Sequence, residues 1–211
     1  MRRSLLALLT APLVAASLAA GASGASLAPP EGGSTGSGGS GGTGVKAITV
    51  VRLHVGYTTP VENFNESFDG GLGLGFNLAH GVTRSILLSL GAAYHHFSGD
   101  GNGVDATIVP VTFNAEGLLP SSGDIHPYLG CGLGFYNISL DSDVIVRPPG
   151  GTESESIHET NLGVNFGAGI ASKSGERGLW GVGLRYHHTF EGELFNDLDF
   201  VTFQASYGFF L

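Results

Sequence analysis

Charged residues are scarce in this 211-residue chain. Only 13% of its residues are Asp, Glu, Lys or Arg, whereas a soluble domain usually carries about 25%, and the mean hydropathy is +0.20. A surface this poor in charge is not expected to face water throughout. The net charge of −9 leaves no basic patch to neutralise phosphates, which argues against a nucleic-acid partner.

Long apolar runs and paired cysteines are also missing. No internal stretch is apolar for the roughly 18 residues that a membrane-spanning helix requires. The single cysteine, Cys131, excludes an internal disulfide and fits no metal-binding pattern. A chain with few charges and no helical span has one main way to cross a membrane, the closed β-barrel, which satisfies every backbone group internally.

Residues 1–25 have the organisation of an export signal. Arg2 and Arg3 precede an apolar run that ends in small residues near Ala20. A basic start, a short apolar segment and a small-residue exit are typical of a Sec signal peptide, so we expect export with cleavage after Ala22 or Ala25. A membrane anchor is the alternative, but the apolar run is too short for one.

Glycine and serine dominate the segment that follows, in which residues 31–44 read EGGSTGSGGSGGTG. This composition cannot bury a core and behaves as a flexible coil. Residues 26–45 are therefore predicted to be a spacer, and residues 46–211 a single domain.

The rest of the chain divides into eight segments in which apolar residues alternate with small or polar ones. A period of two is the pattern of a strand with two different faces. In segment 161–170, the even-numbered residues are apolar and the odd-numbered residues are Gly or Asn. The predicted strands are 46–57, 70–78, 85–97, 105–118, 126–138, 161–171, 178–189 and 199–211.

The face rich in glycine and asparagine is predicted to point into the barrel, and the bulky apolar face toward lipid. The first face has too few charges for a solvated exterior, and an eight-stranded barrel has little room for many large side chains. The alternative is a soluble lipocalin-like barrel with its apolar face inward. We therefore predict an all-β, eight-stranded, antiparallel up-and-down transmembrane β-barrel.

The lengths of the connections favour the same fold. One set is longer than the other, which is typical of outer-membrane barrels with both termini in the periplasm. The longer set is 58–69, 98–104, 139–160 and 190–198, and the shorter set is 79–84, 119–125 and 172–177. Pro110 falls inside a predicted strand, where it removes a ladder hydrogen bond. We therefore expect it to lie at a bulge or above the lipid zone.

Residues 127–136, PYLGCGLGFY, resemble the P-Y-x-G-x-G-x-G strand of the small outer-membrane β-barrel proteins, the group that includes the OmpA transmembrane domain, OmpX and OmpW. Segments 165–169 and 183–186 are also similar to this family, and so is the chain end, although Leu211 replaces the usual final Phe. The resemblance covers about residues 46–211.

This resemblance implies insertion by the barrel-assembly machinery into the outer membrane of a Gram-negative-type bacterium. The likeness to OmpW implies one alternative function, a narrow porin-like channel for small or hydrophobic solutes. The motifs are informative about the fold and nearly silent about activity.

Seven polar residues have the parity of the barrel interior. Because buried charges need partners, we expect Arg52 or Arg185 to pair with Glu116 or with loop carboxylates. The set is predicted to form a packed polar plug, since eight strands leave no aqueous channel; a narrow gated pore is the alternative. The seven residues are Arg52, Asn77, Asn114, Glu116, Asn165, Arg185 and Gln204.

Three histidines, His54, His95 and His187, share this inward parity. They could form a metal-binding or proton-sensitive cluster in the lumen, but neutral imidazoles hydrogen-bonded in a polar interior explain them equally well. The adjacent pairs 95–96 and 187–188 cannot chelate one ion, because neighbouring strand residues point to opposite faces. We therefore predict no metal and no cofactor.

Residues 187–189, His-His-Thr, are similar to the His-x-Ser element of the outer-membrane lipid A deacylases, which are also eight-stranded. A nucleophile must lie beside its base. Here Thr189 replaces Ser, Phe190 stands where that family has a polar residue, and His187 is predicted to lie inside. We therefore predict no catalytic residues and no enzymatic activity, with lipid A modification as a second alternative.

The longer connections are acidic. Such runs are usually just solvated, but they could bind a partner, or bind lipopolysaccharide through divalent cations; their spacing is too irregular for a defined calcium loop. We predict a monomeric protein of the cell envelope with a structural or surface-interaction role. Its partners would be outer-membrane lipid and lipopolysaccharide, and any binding would occur through the loops, chiefly 139–160. The acids are Glu62, Glu66, Asp69, Asp141, Asp143, Glu153, Glu155, Glu159, Glu191, Glu193, Asp197 and Asp199.

Overall fold

The protein is represented by a computed structural model that describes residues 48–61, 64, 67–99, 104–142, 155–192 and 197–211. The predicted export signal, residues 1–25, and the predicted spacer, residues 26–45, lie outside these residues. Within the described part of the chain, no helix is long and apolar enough to cross a membrane.

Eight antiparallel strands close into a barrel. Each strand pairs with its neighbours in sequence, and the last strand pairs with the first. The prediction of an eight-stranded up-and-down barrel is therefore confirmed. The strands are β1 (Thr49–Val61), β2 (Gly71–Gly81), β3 (Ile86–Phe97), β4 (Val104–Leu118), β5 (Ile125–Ser142), β6 (Glu155–Ser174), β7 (Gly178–Thr189) and β8 (Leu198–Phe210).

The two ends of the barrel differ. One end, called here the turn end, carries the start of β1, the end of β8 and the three short connections 82–85, 119–124 and 175–177. The other end, the loop end, carries the remaining four connections. The short turns are built by their own residues: Thr83 Oγ1 accepts hydrogen bonds from the backbone N–H groups of Ser85 and Ile86 at 3.2 and 3.0 Å.

β5 and β6 form a longer hairpin than the sequence predicted. β5 continues to Ser142 and β6 begins at Glu155, with these two residues paired. The prediction that residues 139–160 form a loop is therefore wrong, and the connection between the two strands is residues 143–154.

Polar cross-strand pairs lie on the outward face of this extended hairpin, while Ile138 and Leu140 on its inward face belong to or pack against a buried apolar cluster. Asn137 Nδ2 donates a hydrogen bond to Thr160 Oγ1 at 3.1 Å. Ser139 Oγ lies 2.7 Å from His158 Nδ1. Pairs of this kind stabilise a sheet locally on a face that carries no apolar residues.

Exposure alternates along the strands, and the bulky apolar face is the exposed one, as predicted. On β2, Leu72, Leu74, Phe76 and Leu78 are 50–67% exposed, whereas Asn77 is 8% exposed. Such an apolar exterior is disfavoured in water and suits the hydrocarbon of a bilayer.

Exposed aromatic residues stand toward both edges of this apolar exterior. Tyr57 and Tyr94 lie toward the loop end, and Trp180 and Tyr207 lie toward the turn end. Aromatic side chains at these levels match the interfaces between a membrane and water, where rings with one polar edge are favoured.

Large side chains close the interior at both ends, so the inward face is small and polar only in the middle. The buried cluster at the turn end, called the turn-end plug, consists of Val50, Ala79, Leu87, Leu118, Tyr128, Ala171 and Leu179. The cluster at the other end, the loop-end plug, consists of Phe64, Phe68, Phe97, Ala106, Ile108, Tyr136, Ile138 and Phe200.

The connection between β1 and β2 contributes two rings to the loop-end plug. The centroid of the Phe64 ring lies 4.9 Å from that of Phe68 and 5.0 Å from that of Phe97. The backbone N–H of Asp69 donates to the carbonyl of Ser98 at 2.7 Å, which extends the β2–β3 pairing and fixes the end of this connection at the rim of the barrel.

Pro110 interrupts the ladder between β3 and β4. The register is the same on both sides of it, with Ala92 opposite Val111 and His95 opposite Ile108, so no bulge is present. Pro110 is buried. The missing pairs reflect the absence of an N–H donor on proline, so the expectation of a bulge is wrong, whereas the alternative of a position above the lipid zone stays a prediction.

Gly134 on β5 tests how tightly the interior is packed. A Cβ at this position would lie 2.2 Å from the carbonyl oxygen of Val111, so we expect Gly134→Ala to lower the free energy of unfolding by about 1–3 kcal/mol. At the turn residue Gly123 a Cβ would meet nothing within 4 Å, so Gly123→Ala should change it by less than about 0.5 kcal/mol. Urea unfolding in lipid vesicles, followed by Trp180 fluorescence, measures both; equal stabilities would contradict this packing.

Candidate functional site

The seven predicted interior residues lie on the inward face of the barrel, between the two plugs. Six are at most 9% exposed, and the side chain of Arg185 is 11% exposed. They come from six of the eight strands, and the closed register of the barrel brings several of them together.

Glu116 on β4 contacts both interior arginines. Arg52 Nη1 donates to Glu116 Oε1 and Oε2 at 3.2 and 2.9 Å, and Arg185 Nη2 donates to Oε1 at 3.1 Å. The Glu116 side chain is 3% exposed. One carboxylate therefore bridges two guanidinium groups, and the three residues carry a formal charge of +1 because arginine stays protonated.

Arg185 is also held by two amide groups. Its Nη1 donates to Asn114 Oδ1 at 3.1 Å and to Asn165 Oδ1 at 3.0 Å. Gly132 makes room for this arrangement, since a Cβ there would lie 2.0 Å from Asn114 Oδ1. The glycines of the inward face thus have a specific role, which is to leave space for the polar side chains of neighbouring strands.

Two of the three predicted histidines lie in contact above this group, toward the loop end. The ring centroids of His95 and His187 are 5.5 Å apart. His95 Nδ1 lies 2.9 Å from Thr58 Oγ1, which in turn lies 3.1 Å from Thr202 Oγ1. His187 Nδ1 lies 3.0 Å from Tyr136 Oη. The Nδ1 atoms of His95 and His187 are thus each hydrogen-bonded to a hydroxyl group.

The structure places a possible metal-binding group elsewhere. His54 lines the same interior cavity as His95 and His187, but the described group whose ligand atoms all lie within 4.8 Å of one another is His188, Asp197 and Asp199. These residues lie at the loop end, with His188 opposite Asp199 across β7 and β8. The predicted absence of a metal stays a prediction.

Asp199 is the buried member of this group. It is 4% exposed, its Oδ1 lies 2.9 Å from His188 Nδ1, and it accepts a hydrogen bond from Tyr186 Oη. Sequence reasoning placed Asp199 among the solvated loop acids. The signal that was missed is its position near the start of β8. An outward side chain there meets the outward side chains of the neighbouring strand β7.

The residues compared with a deacylase element do not meet in the described contacts. His187 contacts Tyr136 inside the barrel. Thr189 is fully buried, and its Oγ1 accepts a hydrogen bond from the backbone N–H of Leu198 at 3.0 Å. Their partners are thus other residues. The absence of catalytic residues and of a cofactor stays a prediction.

The acidic residues of the loop end are partly described. Asp69, Asp141, Glu191 and Asp197 are exposed. Within the described residues Lys and Arg do not occur at this end; those that lie outside the barrel interior, Arg84, Lys173 and Arg177, are at or beside the turn end. The side chains of Glu62, Glu66, Asp143, Glu153, Glu155 and Glu193 lie outside the described set.

Replacing Glu116 tests the charge arrangement. Glu116→Gln leaves two buried guanidinium groups without a counter-charge, so we expect the free energy of unfolding to fall by about 3–5 kcal/mol. The exposed turn residue Glu176 gives the matched control, since Glu176→Gln should change it by less than about 0.5 kcal/mol. Equilibrium unfolding in urea measures both, and a Glu116→Gln protein as stable as the wild type would refute the bridge.

Comparison with known proteins agrees with this architecture. No curated protein matches the chain. Neisserial surface protein A has a similar structure, with a TM-score of 0.58 and 12% identity, covering 76% of this chain and 96% of that one. The outer membrane protein OprG from Pseudomonas aeruginosa has a TM-score of 0.52 and 13% identity, covering 78% of this chain and 96% of that one.

The N-terminal β-barrel domain of Pseudomonas aeruginosa OprF has a TM-score of 0.50 and 14% identity, covering 79% of this chain and all of that one. At these identities the likeness shows the fold alone. The family model for the outer membrane protein beta-barrel domain matches residues 6–209, which is nearly the whole chain. The chain therefore belongs to the outer-membrane β-barrel domain family, whose proteins lie in the bacterial outer membrane.

Proposed function

We propose that the barrel is a closed membrane anchor and that its acidic loop end binds cationic partners at the cell surface. The observation that carries this proposal is the separation of charge along the barrel. The described loop end exposes Asp69, Asp141, Glu191 and Asp197 without a Lys or Arg, whereas the turn end exposes both signs, Arg84 and Arg177 together with Asp124 and Glu176. A concentrated negative field attracts cations and speeds their encounter.

The whole sequence supports the same separation. Most of the 18 acidic residues fall in the connections of the loop end and the strand ends beside them, where Arg147 is the only Lys or Arg. Divalent cations held there would link the protein to the phosphates of lipopolysaccharide, which together with outer-membrane lipid is its proposed environment. A role in adhesion or in the organisation of the surface follows from this chemistry.

The closed interior argues against the alternative of a channel. The turn-end plug and the loop-end plug are both apolar and lie across the lumen at its two ends. An ion or polar solute would lose its hydration on passing them. The contacts of His187 and Thr189 with other residues likewise give no support to lipid A modification, so the proposed role is not enzymatic.

Biogenesis is proposed to follow the route of other outer-membrane barrels. The basic and apolar start of the chain supports Sec export, and the alternating apolar residues that end at Leu211 support insertion by the barrel-assembly machinery in a Gram-negative-type bacterium. Each strand is paired on both sides within the closed barrel, which supports a monomer.

The binding proposal predicts charge-dependent affinity. With the protein in lipid nanodiscs, a fluorescent oligolysine peptide should bind at low salt, and combining Asp69→Asn, Asp141→Asn, Glu191→Gln and Asp197→Asn should weaken binding about tenfold or more. Neutralising the turn end with Asp124→Asn and Glu176→Gln is the matched control and should leave the affinity within about twofold. Equal losses in the two variants, or no binding at all, would contradict the proposal.

The closed lumen predicts electrical silence. The refolded wild-type protein in planar bilayers should give no openings above those of protein-free membranes, because both apolar plugs exclude hydrated ions. Single-channel recording across a range of voltages measures this. Reproducible unitary openings would contradict the closed anchor and favour the channel alternative.

A further inference from the structure

The middle of the barrel carries more positive than negative charge. Among the described inward-facing residues between the two plugs, Glu116 is the single carboxylate, and it faces both Arg52 and Arg185. Burying a charge without a counter-charge is strongly unfavourable. Arginine does not release its proton in proteins, so titration of these two side chains cannot remove the excess.

A cavity of about 30 Å³ lies beside this group, on its loop-end side. Roughly 10–15 Å³ is enough for one water molecule on this measure, so the cavity has room for about two waters or one small ion. Arg185, His95, His187 and Asn77 are among the residues that line it, and Glu116 is not. The excess positive charge therefore meets the cavity through Arg185.

Three polar atoms of residues that line the cavity, His54 Nδ1, Asn77 Oδ1 and His95 Nε2, have no hydrogen-bond partner among the described residues. His95 is 2% exposed. We assign the hydroxyl chain so that Thr202 donates to Thr58 and Thr58 donates to His95 Nδ1, over distances of 3.1 and 2.9 Å. The proton of His95 then resides on Nε2, which leaves one buried donor in need of an acceptor.

His187 also lines the cavity. Its Nδ1 lies 3.0 Å from Tyr136 Oη, and because that phenol donates its one proton to the carbonyl of Val164 at 3.4 Å, the Nδ1–H of His187 donates to the phenol oxygen. The imidazole donor of His95 and a guanidinium thus border a space the size of a small ion. The excess charge repels a cation, and the volume is too small for a phosphate group or an organic acid.

We propose that a small monovalent inorganic anion of the halide class, such as chloride, binds in this cavity between Arg185 and the imidazoles of His95 and His187. It balances the excess charge of the arginine pair and accepts the hydrogen bond that His95 Nε2 leaves unmade. Because apolar plugs close both ends of the lumen, the ion enters as the barrel folds and exchanges slowly afterwards.

Refolding in bromide tests the site, since bromide is a halide that X-ray methods detect. The full chain is refolded from urea into detergent in sodium bromide or, at equal ionic strength, in sodium gluconate, and free salt is removed by gel filtration. We expect about one bromide per chain, an anomalous peak in the cavity of crystals, and a midpoint of thermal unfolding roughly 3–6 °C higher in bromide at ten times its Kd.

Two arginine variants locate the effect. Arg185→Gln removes the excess charge and should abolish both the retained bromide and the shift of the midpoint, whereas Arg84→Gln, at an exposed turn, should keep both. Equal midpoints in the two salts with no retained bromide would overturn the proposal, and so would retention by Arg185→Gln or an anomalous peak elsewhere. If Arg185→Gln does not fold, the bromide count and its position in the wild type decide.

Discussion

The narrow lumen of an eight-stranded barrel is the constraint on which the rest of this structure depends. Such a lumen has room for side chains and little else, so bulky apolar residues point outward where strands cross the bilayer. Inside, glycines alternate with polar residues that need their space, as Gly132 does for Asn114. Where the inward residues become large, at Phe97 and Phe200 for example, they close the lumen.

The group of Arg52, Glu116 and Arg185 in the middle of the barrel specifies the strand register more than it stabilises the fold. A buried ion pair costs much of what it gains, because both partners lose their hydration. Yet a shift of one residue in any pairing would turn every side chain to the other face and move Arg52 or Glu116 into hydrocarbon. The three charges on β1, β4 and β7 therefore penalise wrong registers around most of the barrel.

Periodicity was enough to predict the strand number, the topology and the lipid-facing side, because each of these depends on local alternation. It was not enough where other forces dominate. The outward face of the hairpin beyond Ile138 carries polar cross-strand pairs, so the alternation that marks a lipid-facing strand stops before the strands do. The loop-end plug includes Phe64 and Phe68 from a connection, and parity says nothing about connections. The joining of both arginines by Glu116 depends on the register between strands distant in sequence. The meeting of Tyr186, His188 and Asp199 depends on the exact register between β7 and β8.

The orientation of the two faces is tested most directly by adjacent residues on β5. Phe135 is 63% exposed on the outside and Tyr136 is fully buried inside. Two variants are made in a Trp180→Phe background, one with tryptophan at position 135 and one with tryptophan at position 136. Each is reconstituted into lipids brominated along their acyl chains. We predict strong quenching of fluorescence for Phe135→Trp and weak quenching for Tyr136→Trp. Equal quenching at the two positions, or stronger quenching at 136, would contradict the account.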